Sequence, residues 1–321
     1  MAHILTVTLN PALDLSVETP RLALGEVNRT ANTRLEPAGK GINVARVLAR
    51  LGHTVTVTGL LGEANAAPFE RLFEAEGLRD RFLRIPGQNR INVKIAESDG
   101  RLTDLNGTGT PVPDTALEPL QRRLASELAG CDAVVIGGSL PPGLPASGLA
   151  RLVQQAGDAG IPVWLDTSGD ALMAGVAARP FALKPNAEEL SEWAGHPLPD
   201  LASVRSAARR LQAGGVAQVI VSLGADGVLW LAPGGTFQAQ VPPVRAVSTV
   251  CAGDTLLAAM LHGMLKQWPA PEVLRFATAL SAECVRHVGV GHPDAADLPT
   301  LLQLTRVQRG PGHNNTGEMP R

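Results

Sequence analysis

The chain has 321 residues, enough for one large domain or two ordinary ones, and 45% of them are hydrophobic, which is ample for a core. A formal net charge of −2 and an isoelectric point near 6.4 argue against a polyanion-binding surface, so no nucleic-acid partner is expected. No apolar run reaches membrane-spanning length and the first residues do not resemble a signal peptide, so we expect a cytoplasmic protein without a membrane partner.

The three cysteines, Cys131, Cys251 and Cys284, are widely spaced and odd in number. This pattern indicates reduced thiols, as in the cytoplasm, and not a disulfide framework. No cysteines and histidines share the spacing of a metal site, so no dedicated Cys/His metal centre is expected.

The first predicted strand, residues 3–9, leads to a candidate ligand-binding acid. The strand is closed by Asn10-Pro11, and Asp14 follows in an alternating segment at residues 12–17. Open α/β sheets bind ligands just beyond the carboxyl ends of their strands, so the position of Asp14 is compatible with a binding role. Its position also suits a solvated loop residue, so both interpretations remain open.

A glycine-rich turn, Gly39-Lys40-Gly41, leads into a helix predicted to run to about Leu51. The two glycines permit close approach to the backbone, Lys40 adds positive charge, and Asn43 faces the same side one turn later. The spacing is not that of a Walker A loop. The turn therefore predicts either a ligand-binding loop or a tightly packed helix start.

Several strands with a polar face are predicted to form a small β lid. An Asp-Gly turn at residues 99–100, between two alternating segments, is typical of a β-hairpin. Arg90, Asn92 and Lys94 alternate onto one face, which is either merely solvated or able to clamp a phosphate. An exposed β face usually needs cover, so we expect a homodimer. The predicted lid spans about residues 12–37 and 88–107.

From about residue 114 the chain alternates helices with short apolar strands. This alternation predicts an α/β fold, an open, mostly parallel sheet with right-handed crossovers and helices on both faces. We expect one domain over residues 1–307 and a disordered tail over 308–321. The predicted helices are 115–129, 147–159, 169–178, 201–213 and 272–288, and the predicted strands are 132–137, 162–166, 181–184 and 218–223.

Asn186 and Glu189 have a complete structural explanation besides any binding role. Asn186 is predicted as a helix N-cap, and a Glu three residues later completes a capping box. A Gly-Ala-Asp-Gly turn at residues 224–227 is predicted to open a hairpin.

The stretch from Ser248 to Asp254 combines a small-residue turn with the start of an apolar helix. The first backbone N–H groups of a helix have no partner within it, and the macrodipole makes that end positive, so small residues there can admit a phosphate. Asp254 would lie in the first turn, where its carboxylate can accept a proton from an attacking hydroxyl. An Asp that only caps a core helix remains the alternative.

Six motifs together resemble the ribokinase-like carbohydrate kinases, specifically the phosphofructokinase B branch. They occur in the family's order, and the similarity extends over about residues 3–300. The resemblance implies a ribokinase-like fold, an open sheet with helices on both faces and a β lid. The motifs are LNPALD (9–14), AGKGINVA (38–45), RINVK (90–94), GSLP (138–141), KPN (184–186) and AGD (252–254).

The resemblance also implies a role for individual residues. Asp254 is the catalytic base, and the backbone amides of four consecutive residues form an anion hole, namely Cys251, Ala252, Gly253 and Asp254. The sugar-hydroxyl ligands are Asp14, Gly39 and Asn43, and the contacts near the substrate phosphate are Lys40, Arg90 and Ser139. The nucleotide site comprises Lys184, Asn186, Ser222, Leu223, Gly224, Ala225, Asp226, Gly227 and Gly253. Glu189 and Asp166 organise Mg²⁺ through water.

The implied activity is the ATP- and Mg²⁺-dependent phosphorylation of fructose 1-phosphate to fructose 1,6-bisphosphate. The same chemistry on tagatose 6-phosphate or fructose 6-phosphate is the nearest alternative. A sugar-phosphate-binding regulator without turnover is an alternative of another class, although the intact Asp254 argues against it.

The chain departs from the family pattern at Cys251, where the signature has a small residue, usually glycine. A thiol beside a helix N-terminus favours the thiolate, which predicts a reactive cysteine; an inert buried thiol is the alternative. Glu283 and Arg286 also lie in a helix that relatives build from small residues near the nucleotide, and nothing in the sequence explains them.

Overall fold

The computed structural model describes residues 1–30 and 32–310. Within the single domain predicted over 1–307, the chain divides into two compact units, residues 1–178 (the N-terminal unit) and the residues from 179 onward (the C-terminal unit). The predicted tail begins inside a strand, Arg306–Arg309, and its residues 311–321 lie outside the described residues.

The N-terminal unit is built on a parallel sheet in the order β10-β9-β1-β4, with β5 and β6 both paired to β4. All five residues of β9 are buried, as expected for a strand covered on both faces. The strands are β1 (His3–Thr8), β2 (Ala12–Thr19), β3 (Asn32–Ala38), β4 (Thr54–Gly62), β5 (Arg79–Asp80), β6 (Leu83–Ile85), β7 (Arg90–Glu97), β8 (Leu102–Leu105), β9 (Ala133–Gly137) and β10 (Val163–Asp166). The helices are α1 (Lys40–Arg50), α2 (Ala67–Ala75), α3 (Leu117–Glu127), α4 (Ala146–Asp158) and α5 (Gly169–Ala177).

The predicted lid is a second, four-stranded sheet in this unit, in the order β3-β2-β7-β8. Its register separates the side chains into an apolar and a polar face. Leu15 pairs with Leu35 and Val93, and Val93 pairs with Leu105, whereas the neighbouring Asp14 pairs with polar residues on both sides. The apolar lid face comprises Leu13, Leu15, Val17, Leu35, Ile91, Val93, Ile95 and Leu105.

The C-terminal unit contains a mixed sheet in the order β15-β14-β13-β12-β11, of which β11 and β12 are parallel and the rest antiparallel. Its central helix, α8, is buried on all sides and is correspondingly rich in Leu and Ala. The strands are β11 (Ala182–Leu183), β12 (Gln218–Ser222), β13 (Val228–Ala232), β14 (Gly235–Gln240) and β15 (Arg306–Arg309). The helices are α6 (Ala187–Ala194), α7 (Leu201–Ala213), α8 (Ala252–Leu265), α9 (Ala270–Cys284) and α10 (Leu298–Leu304).

The predicted elements are confirmed with shifts of a few residues, and α7 has the predicted bounds, 201–213. The last helix differs, because α9 ends at Cys284 and not at residue 288. There the Val285 carbonyl accepts the backbone N–H groups of Val247 and Ser248, which redirects the chain. Neither α10 nor β15 was predicted, because segments of seven and four residues are too short for a detectable periodicity. Among the described residues, no helix is both long and apolar enough to cross a membrane.

Candidate active site

Polar side chains lie at the carboxyl ends of the parallel strands in the N-terminal unit. Asn10 follows β1, Ser139 follows β9, and Asp166 is the last residue of β10. Asn10 Nδ2 donates to Ser139 Oγ over 3.2 Å and to the Thr108 carbonyl over 3.0 Å. These residues therefore share the edge at which open α/β sheets bind ligands. Asn10 was not predicted as a site residue, because the sequence does not show that its side chain contacts residues as distant as Thr108 and Ser139.

Lys40, the first residue of α1, lies beside Asp166, with its Nζ 2.7 Å from Asp166 Oδ1. Gly39 precedes it with a φ of 146°, a conformation that other residues rarely adopt. A β-carbon added at Gly137 would lie 3.0 Å from Lys40 Cβ, so a glycine in β9 permits this approach. Asn43, one turn further on, is buried. The structure thus pairs Lys40 with Asp166, although the resemblance implied different ligands for them, the substrate phosphate for Lys40 and Mg²⁺ for Asp166.

Asp14 is the centre of a polar cluster on the polar face of the lid. Asn92 Nδ2 donates to Asp14 Oδ1 over 2.9 Å, and Lys94 Nζ lies 3.7 Å from Asp14 Oδ2. The Gly107 backbone N–H donates to Asn92 Oδ1 over 3.2 Å. The predicted alternation of Asn92 and Lys94 onto one face is confirmed. An oriented carboxylate of this kind suits the recognition of a ligand hydroxyl.

Arg90 lines a small cleft together with Asn10 and Asn89. Its Nη1 donates to the Gly107 carbonyl over 3.0 Å, and its buried Nε has no hydrogen-bond partner within the described residues. Burial lowers the pKa of the Arg90 guanidinium, and the negative charge of Asp14 acts in the opposite direction. A half-buried guanidinium that lines a cleft suits a phosphate or carboxylate.

In the C-terminal unit, α8 begins at the small-residue turn that the sequence predicts. Cys251 is the N-cap with a φ of 66°, and Asp254 is the third residue of the helix with 7% of its surface exposed. The first-turn amides of Gly253 and Asp254 have no intrahelical acceptor by helix geometry, whereas the Ala252 N–H donates to the Thr249 carbonyl over 3.4 Å. Ser281 Oγ donates to the Ala252 carbonyl over 3.0 Å and so supports this turn, a role that has no sequence signal.

Lys184 adds a second positive element at the N-terminus of α8. Its side chain is buried, and a β-carbon added at Gly253 would lie 3.1 Å from Lys184 Nζ. A buried ammonium group therefore lies against the turn whose amides and dipole already favour an anion. The arrangement is suited to binding a phosphoryl group, with the Asp254 carboxylate in the same turn.

The turn from Ser222 to Gly227 follows β12 and is exposed over most of its length. The Leu223 backbone N–H donates to the Gly227 carbonyl over 2.9 Å, and Gly227 has a φ of 105°. A β-carbon at Gly227 would lie 1.9 Å from a backbone oxygen, so only glycine fits. Asn186 forms an isolated parallel bridge with Ser222, which brings the predicted nucleotide residues of two strand ends together. The turn therefore presents Leu223, Gly224, Ala225 and Asp226 at that position.

The predicted capping box is confirmed, since Glu189 N–H donates to Asn186 Oδ1 and Asn186 N–H donates to Glu189 Oε2, both over 2.8 Å. Within the described residues, no group of three or more His, Cys, Asp or Glu side chains is arranged to hold a metal ion. Asp166 engages Lys40. The carboxylates of Glu189 and Asp166 therefore fit a Mg²⁺ ion that is held mainly by phosphates and water, which is the usual arrangement for this ion. They do not form a site made of protein ligands alone.

A family model described as "pfkB family carbohydrate kinase" matches residues 7–297. The chain belongs to the pfkB family of carbohydrate kinases. A 1-phosphofructokinase from Vibrio cholerae is 42% identical over 304 residues, covering 95% of this chain and 96% of the relative. Another from Haemophilus influenzae is 42% identical over 311 residues, covering 96% and 98%. The crystal structure of phosphofructokinase-2 from Escherichia coli in complex with fructose-6-phosphate has a TM-score of 0.86 at 29% identity, covering 94% of this chain and 99% of that one.

Membership of the pfkB family confirms the ribokinase-like fold and the kinase activity that the resemblance implied. ATP is the phosphoryl donor that this family implies. The structure also accounts for Glu283 in this pfkB kinase. The buried Glu283 carboxylate accepts from His287 Nε2 over 2.8 Å and from the His292 backbone N–H over 2.7 Å. It therefore ties the loop after α9 to the helix, and Arg286 pairs on the surface with Asp297.

The left-handed φ of 66° at Cys251 explains why a glycine suits this position in the pfkB signature. We expect Cys251→Gly to raise the free energy of unfolding by roughly 0.5–1 kcal/mol, because relief of the left-handed strain exceeds the extra entropy that glycine loses. Denaturant unfolding measures this. Gln267→Gly is the matched control, since Gln267 has a φ of 56° just beyond the other end of α8. A gain only in the control would mean that the Cys251 side chain itself stabilises the turn.

The three cysteines differ in their predicted reactivity. Burial raises the pKa of the Cys131 and Cys284 thiols to about 11, and neighbouring carboxylates act in the same direction. At pH 8 only about one in a thousand of these thiols is a nucleophilic thiolate. Cys251 is half-exposed at a helix N-terminus, so we expect iodoacetamide to modify it first, with activity loss that Mg-ATP slows. Peptide mapping checks this, and inactivation that follows Cys131 or Cys284 would contradict it.

Proposed function

We propose that this kinase transfers the γ-phosphoryl group of ATP to the C6 hydroxyl of fructose 1-phosphate, giving fructose 1,6-bisphosphate and ADP. The observation that carries the proposal is the 42% identity, over nearly the whole chain, to proteins named 1-phosphofructokinase. The N-terminal unit supports it with Arg90, a half-buried cation suited to a phosphorylated sugar, and with Asp14, suited to a sugar hydroxyl.

In the proposed mechanism, Asp254 accepts the proton of the C6 hydroxyl as this oxygen forms a bond to the γ-phosphorus. The bond from the γ-phosphorus to the β–γ bridging oxygen breaks, and ADP leaves. The first-turn amides of α8 and the Lys184 ammonium stabilise the negative charge that spreads over the transferring group. Glu189 would hold Mg²⁺ through water beside the nucleotide phosphates, and the ion would supply positive charge against those phosphates.

A panel of phosphorylated hexoses tests the substrate. ADP release is measured with fructose 1-phosphate, fructose 6-phosphate and tagatose 6-phosphate, and we expect the highest kcat/KM with fructose 1-phosphate. The second candidate is 6-phosphofructokinase activity, which the similarity to the structure with bound fructose-6-phosphate favours. Binding of a sugar phosphate without ADP release would instead support a regulator without turnover.

The cellular setting is part of the same proposal. No disulfide forms among the cysteines, all three of which lie within residues 1–30 and 32–310. Reduced thiols support an enzyme that works in the cytoplasm.

We also propose that the kinase forms a homodimer through the apolar lid face. Three of its residues, Leu35, Ile91 and Leu105, are each about half exposed, at 48%, 46% and 56%. An amphipathic sheet whose apolar face stays in water is unfavourable, and a second copy supplies a complementary apolar face by two-fold symmetry.

Leu105→Lys is expected to weaken the dimer about 100-fold or more, because two buried leucines contribute about 1.5–3 kcal/mol each and two charges replace them. Analytical ultracentrifugation measures the dissociation constant. Leu102→Lys is the matched control, since Leu102 lies on the same strand and is 52% exposed but belongs to the polar face. Equal effects of both substitutions would place the interface elsewhere.

A further inference from the structure

The pair formed by Lys40 and Asp166 joins two distant parts of the N-terminal unit. The Nζ and Oδ1 atoms are 2.7 Å apart, and the residues are 126 positions apart in sequence. Gly137, which pairs with Asp166 across the sheet, allows this approach, because a β-carbon there would lie 3.0 Å from Lys40 Cβ. The Gly138 backbone N–H also donates to the Asp166 carbonyl over 2.9 Å, which fixes the strand end that carries the carboxylate.

The two members of the pair differ sharply in exposure, with 34% of the Lys40 side chain but only 1% of the Asp166 side chain accessible. A buried carboxylate needs a compensating charge. A lysine at the first position of a helix, in turn, faces the positive end of the dipole and gains from a nearby anion. Each residue therefore compensates an unfavourable feature of the other, while part of the Lys40 side chain stays in contact with solvent.

We infer that Asp166 is a positioning residue that holds the Lys40 ammonium for the phosphate already on the sugar, and is not primarily an organiser of Mg²⁺. The inference rests on the proposed function, because it takes the ligand to be a phosphorylated sugar. Lysine carries a point charge on a flexible four-carbon side chain, so its contribution to phosphate binding depends on the contacts that hold the side chain in place. Asp166 fixes it at the strand edge that also carries Ser139.

The test measures binding of fructose 1-phosphate by titration calorimetry, in EDTA and without ATP, so that no metal contributes. We expect Asp166→Ala to raise Kd about 10-fold, the usual worth of a fixed charge-assisted hydrogen bond. Lys40→Met should raise Kd at least as much. The double variant should bind no more weakly than Lys40→Met alone, because the carboxylate acts through the lysine. Asp166→Asn, which keeps an acceptor oxygen, should lose less than Asp166→Ala.

Kinetics supply the second readout. In Asp166→Ala we expect KM for fructose 1-phosphate to rise while the Mg²⁺ concentration for half-maximal rate stays the same. An unchanged Kd in EDTA with a raised Mg²⁺ requirement would overturn the inference and return Asp166 to the metal. Losses that multiply in the double variant would also overturn it. If the wild-type protein neither binds nor phosphorylates fructose 1-phosphate, the proposed function itself fails.

Thermal unfolding distinguishes a positioning role of Asp166 from a general loss of the fold. Lys40→Met leaves a buried carboxylate uncompensated, so the double variant with Asp166→Ala should unfold at a higher temperature than Lys40→Met alone. Glu76→Gln is the matched control, because Glu76 pairs with Arg50 at the other end of α1. It should leave Kd for fructose 1-phosphate unchanged, and a 10-fold effect there would mean that any lost ion pair on α1 disturbs the site.

Discussion

Asp254→Asn is expected to lower kcat by about 10²–10⁴, the usual contribution of a positioned general base, and to leave substrate binding largely intact. Asp254 has only 7% of its surface exposed and lies in the first turn of α8, beside the amides proposed to hold the transferring phosphoryl group. Asparagine preserves its shape and its place near the positive end of the helix, but it cannot accept the proton.

Steady-state kinetics and calorimetric titration with each substrate check this expectation. Asp170→Asn is the matched control, because Asp170 is an exposed carboxylate in the first turn of α5. It should leave kcat unchanged. Near wild-type turnover in Asp254→Asn would mean that another group accepts the proton, or that Asp254 only caps its helix.

Arg90→Ala is expected to raise KM for the sugar phosphate about 10- to 150-fold, with a much smaller change in KM for ATP. A charge-assisted hydrogen bond to phosphate contributes roughly 1.5–3 kcal/mol, which corresponds to that range. The guanidinium is held by the Gly107 carbonyl and lines the cleft, where its positive charge favours a phosphate.

Arg34→Ala is the control for Arg90, because Arg34 is a lid arginine that is 62% exposed and pairs with Glu36. It should change neither KM. Equal rises in both KM values for Arg90→Ala would indicate a damaged lid, and no rise would remove Arg90 from the phosphate site.

The features that were predicted correctly from the sequence are those with a local cause. The bounds of α7 follow from Asp200, which caps the helix in a reciprocal pair with Ser203. The capping box of Asn186 and Glu189 also needs only four consecutive residues. The alternation of Asn92 and Lys94 onto one face follows from the two-residue period of a strand.

The small-residue turn before Asp254 likewise predicts the start of α8. The anion-binding role of that helix end stays a prediction, which follows from the amides that helix geometry leaves without intrahelical acceptors. The family motifs extend this to roles for individual residues. The left-handed backbone of Cys251 has no such signal, because cysteine rarely adopts that conformation and only the path of the turn imposes it.

The contacts that organise the two units depend on chain segments far apart in sequence. Lys40 meets Asp166 across 126 residues, and Asn10 meets Ser139 across 129. In the C-terminal unit, Lys184 reaches Gly253 in the same way. Propensity and periodicity describe each segment alone, whereas these pairs arise, within each unit, from the packing of segments that are distant in sequence. Local chemistry therefore identifies the residues, and the packing of distant strands determines which of them act together.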